Sequence, residues 1–219
     1  MKIGTCVNFS EIDGMEKKFA QLREHNFDSC QLVSWNPAAW TDENANTLKT
    51  LLEQYQITVS AFWCGWTGPA AWNFYDGPLT LGLVPVEYRQ MRIENLCDGA
   101  DFAHKLGITD VVTHMGFIPE NPYDPNFSSF CIAVRTVAEH LKKNGQCLLF
   151  ETGQETPVTM LRCFEAVGTD NLYVNLDTAN LILYGKANPA DALDVFGKYV
   201  RNLHAKDGCY PTNGHELGA

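Results

Sequence analysis

Four side chains that can bind metals or move protons close four short apolar runs of the sequence. They are His114, Glu151, Asp177 and His204. Carboxylate and imidazole groups are ligands suited to Mn²⁺, Mg²⁺, Co²⁺ or Zn²⁺. Because Glu151, Asp177 and His204 end three successive runs, we expect them to hold one divalent cation with an open position for substrate oxygens.

Each of these residues alone has a simpler interpretation. An acidic residue at the end of a strand more often caps the following helix. His114 is predicted either to hydrogen-bond a substrate or ligand group or to be a satisfied histidine of the interior. Only the joint occurrence of Glu151, Asp177 and His204 on adjacent strands favours a metal site.

The apolar runs that must position these side chains number seven and alternate with helix-length stretches. The predicted strands cover 2–7, 29–34, 58–64, 110–114, 146–151, 172–177 and 200–204. Strict alternation of this kind requires a parallel sheet with helices outside it, because a parallel crossover needs a helix-length connection.

The connecting stretches carry helix signals and one long loop. A helix over 92–106 presents an apolar face, has Arg92 among its polar positions and ends at Gly107. Another is predicted from about 156 to 166, with Pro157 near its first turn and Gly168 past its end. The connection 65–85 carries Trp66 and Trp72 and is predicted to be an ordered lid.

Periodicity alone fits either an open doubly wound sheet or a closed barrel. In a barrel, functional side chains lie at the carboxyl ends of the strands, which curvature brings towards one axis. Four consecutive strand ends carry metal-competent side chains here, and no glycine-rich phosphate motif follows the first strand. We therefore predict a single α/β domain over 1–219 with a TIM-barrel architecture.

Composition excludes several classes of partner. The net charge of −10 would repel phosphate backbones, and no basic run exceeds Lys142 and Lys143. No apolar stretch approaches a membrane span, so we expect a cytoplasmic protein without nucleic acid or membrane partners. Eight cysteines stand singly without a C-x-x-C pair and are interpreted as reduced core thiols. The oligomeric state stays open, a homo-oligomer included.

The residues around the strand ends resemble a known family. Three segments are similar to the fifth-, sixth- and seventh-strand motifs of the xylose-isomerase-like sugar phosphate isomerase/epimerase family, and a fourth is similar to its fourth-strand motif. They are Phe-Glu-Thr-Gly-Gln-Glu at 150–155, Asn-Leu-Asp-Thr-Ala-Asn at 175–180, His-Ala-Lys-Asp-Gly at 204–208 and Val-Thr-His-Met-Gly at 112–116. The resemblance extends over essentially the whole chain.

The resemblance implies a divalent-metal-dependent isomerase or epimerase of a sugar or sugar phosphate. Glu151, Asp177 and His204 would bind the metal, and Glu151 would also move a proton at the carbon beside a carbonyl. A cation that bridges this carbonyl and the neighbouring hydroxyl stabilises the enediolate that forms. A nearby carboxylate is then the natural proton carrier.

The chain departs from the family pattern at two places. Members carry a fourth ligand, a Glu, at the end of an eighth strand, and 219 residues end before such a strand. We therefore expect a (β/α)₈-type barrel without its eighth βα unit, either truncated from a longer enzyme or a non-catalytic fragment with residual metal binding. Asn180 stands where members often have His, and it can bond a hydroxyl but cannot carry a proton.

Five further residues are candidates for substrate contacts, each with a structural alternative. They are His114, Asn180, Lys206, Trp63 and Asp207. Trp63 is predicted to pack an apolar sugar face or the core, and Asp207 to orient substrate or to fix its loop. For Gln31 a structural role is favoured. An inosose-type dehydratase is the alternative reaction, and phosphodiester cleavage ranks third because a multi-zinc histidine cluster is missing.

Overall fold

The computed structural model describes residues 2–219 and contains one parallel sheet of seven strands. Each strand pairs with its neighbour in chain order. The strands are β1 (Thr5–Asn8), β2 (Ser29–Ser34), β3 (Thr58–Cys64), β4 (Asp110–Thr113), β5 (Cys147–Glu151), β6 (Leu172–Asp177) and β7 (Val200–His204). The predicted bounds of β2, β3, β6 and β7 are confirmed. The predicted start of β1 is wrong, because the ladder with β2 begins only at Thr5, opposite Cys30.

Helices occupy the connections between the strands. They are α1 (Met15–Glu24), α2 (Asp42–Gln54), α3 (Gly77–Thr80), α4 (Val86–Lys105), α5 (Pro125–Lys143), α6 (Pro157–Val167), α7 (Thr178–Leu183) and α8 (Pro189–Phe196), with short 3₁₀ turns at Pro37–Ala39 and Gly197–Tyr199. The predicted start of α6 is confirmed, since the Thr156 side chain accepts from the Thr159 backbone N–H, and Gly168 ends the helix at φ 70°. Across residues 2–219 every helix is too short or too polar to cross a bilayer.

Successive side chains of the strands alternate between two cores. Phe62, for example, packs against the helices in the outer core, whereas its neighbour Trp63 points into a smaller inner cluster. Val111 and Val112 divide in the same way. This two-residue period buries both faces of the central strands β4, β5 and β6, whereas the edge strands β1 and β7 are largely exposed or half-buried.

The sheet is curled into a half-barrel. His204 Nε2 of β7 lies 2.7 Å from Gln31 Oε1 of β2, and Arg201 Nε of β7 lies 3.0 Å from Asp110 Oδ2 of β4. In a flat sheet β2 and β7 would be about 24 Å apart, at roughly 4.8 Å per strand. The architecture is therefore α/β and TIM-barrel-like, with no eighth strand and no β1–β7 ladder among the described residues.

The connection between β3 and α4 is packed onto the barrel. Trp66, Leu81 and Leu83 of this segment are buried. Arg92 of α4 is fully buried beneath it, and its guanidinium donates to the carbonyls of Gly82 at 2.7 Å and Pro69 at 2.8 Å. The prediction that Arg92 lies away from the buried face of this helix is wrong, because these carbonyls accept hydrogen bonds from its buried guanidinium. Burial lowers the pKa of Arg92 to about 10.

The cysteines divide between core and surface. Cys30, Cys64, Cys131 and Cys163 are buried, as expected of core thiols. Cys6 and Cys209 are exposed, so the interpretation of all eight as core residues is wrong for these two. Cys6 lies on β1, a strand whose side chains are mostly exposed, and this places its thiol near the barrel mouth.

Candidate metal and substrate site

The three predicted metal ligands converge at the carboxyl ends of β5, β6 and β7. Glu151, Asp177 and His204 each offer one ligand atom, and these atoms all lie within 4.8 Å of one another. His204 Nδ1 lies 2.8 Å from Glu151 Oε1 and 3.7 Å from Asp177 Oδ2. Two carboxylates and one imidazole from rigid strand ends are a donor set that fits a divalent cation.

Burial controls the protonation of this group. Desolvation raises the pKa of Glu151. Burial alone would lower the pKa of His204, but its hydrogen bonds to Asp177, Cys6 and Glu151 outweigh this effect and raise the pKa to about 12. The imidazolium between two buried carboxylates therefore occupies the position that suits a cation, and a metal ion that binds here must displace its proton.

The Asp177 carboxylate caps a helix with one oxygen and faces the candidate metal site with the other. Its Oδ1 accepts a hydrogen bond from the Asn180 backbone N–H at 2.8 Å and so caps α7. Its Oδ2 faces His204 and the Lys206 ammonium, 3.5 Å away. Desolvation would raise the pKa of Asp177, but these contacts hold it below its usual value. The helix fixes one carboxylate oxygen and leaves the other facing the cluster.

A cavity of about 380 Å³ opens beside the three side chains. One wall carries the indoles of Trp35, Trp63 and Trp72, with the Trp35 and Trp63 centroids 5.0 Å apart. A second wall is polar and is formed by His114, Gln154, Asn180, Tyr184 and Lys206 together with the three candidate ligands. The size and lining suit one small molecule with an apolar face and several hydroxyl groups.

The predicted substrate residues separate into two groups. His114, Asn180, Lys206 and Trp63 line the cavity, whereas Asp207 lies outside its lining in residues 2–219. The Asp207 carboxylate accepts from the Gly208 backbone N–H, as the loop-fixing interpretation expects. Lys206 Nζ donates to Asn180 Oδ1 at 2.9 Å. Burial lowers the pKa of His114 to about 3, so its imidazole is neutral.

Sequence reasoning missed several residues of the cavity. Gln154 and Tyr184 are buried at its polar wall, and neither Gln154 amide atom nor the Tyr184 hydroxyl has a hydrogen-bond partner among the described residues. His114 Nδ1 is likewise unpartnered. Gln154 follows Glu151 by three positions, a signal that could have identified it. Nothing in the local sequence indicates Trp35 or Tyr184.

Comparisons with known proteins agree with the TIM-barrel-like fold. The model of a family described as xylose isomerase-like TIM barrel matches residues 19–218. A crystal structure of a xylose isomerase domain protein from Planctomyces limnophilus superposes with a TM-score of 0.91 at 28% identity, covering 99% of this chain and 79% of that one. An uncharacterized protein of Methanocaldococcus jannaschii is 23% identical over 99% of this chain and 72% of its own length.

A further structural neighbour is an epimerase. The structure of an L-ribulose 3-epimerase superposes with a TM-score of 0.72 at 20% identity, over 93% of this chain and 69% of that one. At this level of identity the similarity shows the shared fold.

Proposed function

Because the chain belongs to the xylose isomerase-like TIM barrel family, as its strand-end motifs predicted, we propose that it is a divalent-metal-dependent sugar isomerase or epimerase. The observation that carries this proposal is the convergence of Glu151, Asp177 and His204 at the edge of the cavity, with ligand atoms within 4.8 Å. These three residues would hold the cation. When bound, it supplies electrostatic stabilisation of the negative charge that develops on substrate oxygens.

Glu151 is the residue that moves the proton. Its carboxylate is buried, and desolvation raises its pKa, which makes it a stronger base than an exposed carboxylate. A proton taken from the carbon beside a carbonyl leaves an enediolate. Return of this proton by Glu151 to the neighbouring carbon gives isomerisation, whereas epimerisation requires a second proton donor on the opposite face of the enediolate.

The two walls of the cavity bind the substrate in different ways. Neutral His114, with its unpartnered Nδ1, bonds a hydroxyl, and Asn180 and Lys206 bond others. Trp63 packs against the apolar face of the sugar. Binding at both walls holds the reacting carbon beside Glu151, so that the proton is transferred over a short distance.

The charge of the cavity favours an unphosphorylated sugar. Within the part of the chain that the structure describes, Lys206 is the only lysine or arginine in the lining. Its ammonium is already engaged with Asn180 and Asp177. A phosphate dianion would lie near the carboxylates of Glu151 and Asp177 and would have no free lysine or arginine to bind it, so a neutral polyhydroxy substrate fits better.

Solvent exchange tests the proposal. The protein, loaded with Mn²⁺, is incubated in deuterated water with a panel of ketoses and their phosphates, and the products are analysed by mass spectrometry. We expect deuterium in an isomerised or epimerised neutral sugar with the parent chain. The exposed-site control Glu139→Gln should behave identically, and Glu151→Gln should incorporate none.

Three results would contradict the proposal. Turnover without solvent deuterium would indicate a hydride shift, and a product lighter by one water would indicate dehydration. Exchange that persists in Glu151→Gln would assign the proton transfer to another residue.

A further inference from the structure

Behind the candidate metal site, four side chains close a ring of hydrogen bonds. His204 Nε2 lies 2.7 Å from Gln31 Oε1, and Gln31 Nε2 donates to Asn175 Oδ1 at 3.2 Å. Asn175 Nδ2 then donates to Glu151 Oε2, and Glu151 Oε1 lies 2.8 Å from His204 Nδ1. Gln31 comes from β2 and Asn175 from β6, and both side chains are buried.

The ring has one consistent direction when Glu151 is ionised. A carboxylate only accepts, so the NH₂ group of Asn175 must face Glu151, and its carbonyl oxygen must face Gln31. Gln31 can meet that oxygen only with its own NH₂ group, which turns its carbonyl oxygen to His204. The His204 Nε2 atom must therefore carry a proton.

A proton on Nε2 determines the state of Nδ1, the other nitrogen of the His204 imidazole. In a neutral imidazole with a proton on Nε2, Nδ1 has a free lone pair, and Nδ1 is the atom that faces Glu151 and Asp177. Cys6 Sγ, at 3.9 Å from Nε2, is a weak acceptor and does not oppose this arrangement. If the two amide groups were turned round, the Asn175 carbonyl oxygen would face the Glu151 carboxylate, and both groups are acceptors.

We infer that Gln31 and Asn175 are positioning residues that fix the Nε2-protonated form of His204 and the orientation of Glu151, so that Nδ1 and a carboxylate oxygen are presented to a divalent cation. The inference rests on the metal site of the proposed function. It assigns a task to Gln31, for which the sequence favoured only a structural role. Outer partners of this kind set the tautomer and the basicity of a ligating histidine.

The matched substitutions remove buried amides inside and outside the ring. Gln31→Met and Asn175→Leu keep the size of each side chain and break the ring. Gln146→Met and Asn171→Leu remove buried amides whose NH₂ groups donate to backbone carbonyls near the other ends of strands β5 and β6. Zn²⁺ affinity of the full chain is measured by calorimetry. The His204 tautomer in the Zn²⁺-loaded protein is read by long-range ¹H–¹⁵N NMR, with His204→Asn to assign the signal.

We expect the parent chain to show a proton on Nε2 and the metal on Nδ1. Gln31→Met and Asn175→Leu should weaken Zn²⁺ binding by roughly 10- to 100-fold, the usual effect of removing an outer partner. Gln31→Met should also lose the single tautomer, while the two control variants should bind as the parent does. In Gln31→Glu the carboxylate still accepts from Nε2–H, so the parent tautomer should return.

Several outcomes would overturn the inference. These are a parent chain with the proton on Nδ1, ring variants that bind Zn²⁺ as tightly as the parent, or controls that weaken binding equally. If Gln31→Met does not fold, Gln31→Glu decides, and the Nδ1-protonated form in that variant contradicts the ring. Absence of deuterium exchange with the ring behaviour intact would refute the proposed reaction and leave the positioning role standing.

Discussion

The two walls of the cavity are built by different means. The polar wall places Glu151, Asp177 and His204 at the ends of paired strands, where hydrogen bonds fix each side chain from behind. The tryptophan wall draws Trp35 and Trp72 from loops, and only Trp63 from a strand. The ligand atoms, which must be positioned to within a fraction of an ångström, therefore come from the ends of strands. The residues that only contact an apolar surface come largely from loops.

The largest effect is expected from removing charge at the polar wall. Glu151→Gln should lower kcat by roughly 10²- to 10⁴-fold, the range for loss of a general base, and should also abolish the rise in Tm caused by Mn²⁺. Asp177→Ala should abolish the same rise. Thermal unfolding with and without Mn²⁺ measures this, with Glu139→Gln as the exposed control. Equal metal-induced shifts in the parent chain and both variants would show that these residues are not the ligands.

The next largest effect is expected from Arg92, whose guanidinium packs on Trp66, a neighbour of Trp35 in the tryptophan wall. Arg92→Met would leave the Gly82 carbonyl unpartnered in a buried site, at about 1 to 3 kcal/mol, and would remove the donor to the carbonyl of exposed Pro69. Loss of the buried charge offsets part of this, and we expect a net destabilisation of about 2 kcal/mol in urea unfolding. The tryptophan fluorescence should change as well, because the guanidinium lies 5.2 Å from the Trp66 ring centroid.

Arg135→Met is the matched control for that comparison. Arg135 also donates to two carbonyls, those of Val167 and Ala166, but at the end of α6 and at an exposed position. It should destabilise the chain less and leave the fluorescence unchanged. Equal changes in both variants would mean that Arg92 has no particular role in holding the tryptophan wall.

A smaller effect is expected from pH at the polar wall. The metal-free pKa of His204 is raised from 6.5 to about 12, so its ion pair stabilises the fold fully below about pH 6.5 and is lost as pH rises towards 12. A metal must displace this proton, and its affinity should therefore rise by about tenfold per pH unit between pH 6 and 9. Calorimetry in two buffers of different ionisation enthalpy counts the protons released. We expect about one proton per Mn²⁺, and none would contradict the protonated state.

The same division between the walls explains what the sequence could predict. Strand β6 and its terminal Asp177 were predictable because an apolar run stops at a polar residue and a helix follows. The strand-end rule then located the polar wall without any knowledge of loops. Gln154 was accessible to the same rule, since it lies directly after β5 beside Glu151.

Apart from Trp63 on β3, the tryptophan wall was not predictable in this way. Trp35 reaches the cavity because Gly65 allows its ring to lie against the backbone, where a Cβ at position 65 would come within 2.5 Å of the indole. Arg92 is buried because distant carbonyls turn towards it. Both depend on tertiary contacts between segments that are not adjacent in sequence, and helix periodicity alone places Arg92 on the surface.

The smallest effect is expected at the rim of the tryptophan wall. Trp72 is 41% exposed and lies over His114, with ring centroids 4.9 Å apart, so its removal should disturb the core little. If this wall only packs against the substrate, Trp72→Ala should raise KM and leave kcat nearly unchanged. An aromatic contact worth about 0.5 to 1.5 kcal/mol corresponds to a rise of roughly 2- to 10-fold.

The measurement is steady-state kinetics on the sugar identified by deuterium exchange. The control is Tyr123→Ala, because Tyr123 is an aromatic residue that is 91% exposed and lies outside the cavity lining. Trp72→Phe should recover most of the affinity, because a smaller aromatic face still covers the apolar side of the sugar. A fall in kcat with KM unchanged would mean that Trp72 acts in the transition state, through the His114 ring beneath it. The tryptophan wall would then contribute to the reaction itself and not only to substrate binding, through the contact between Trp72 and His114.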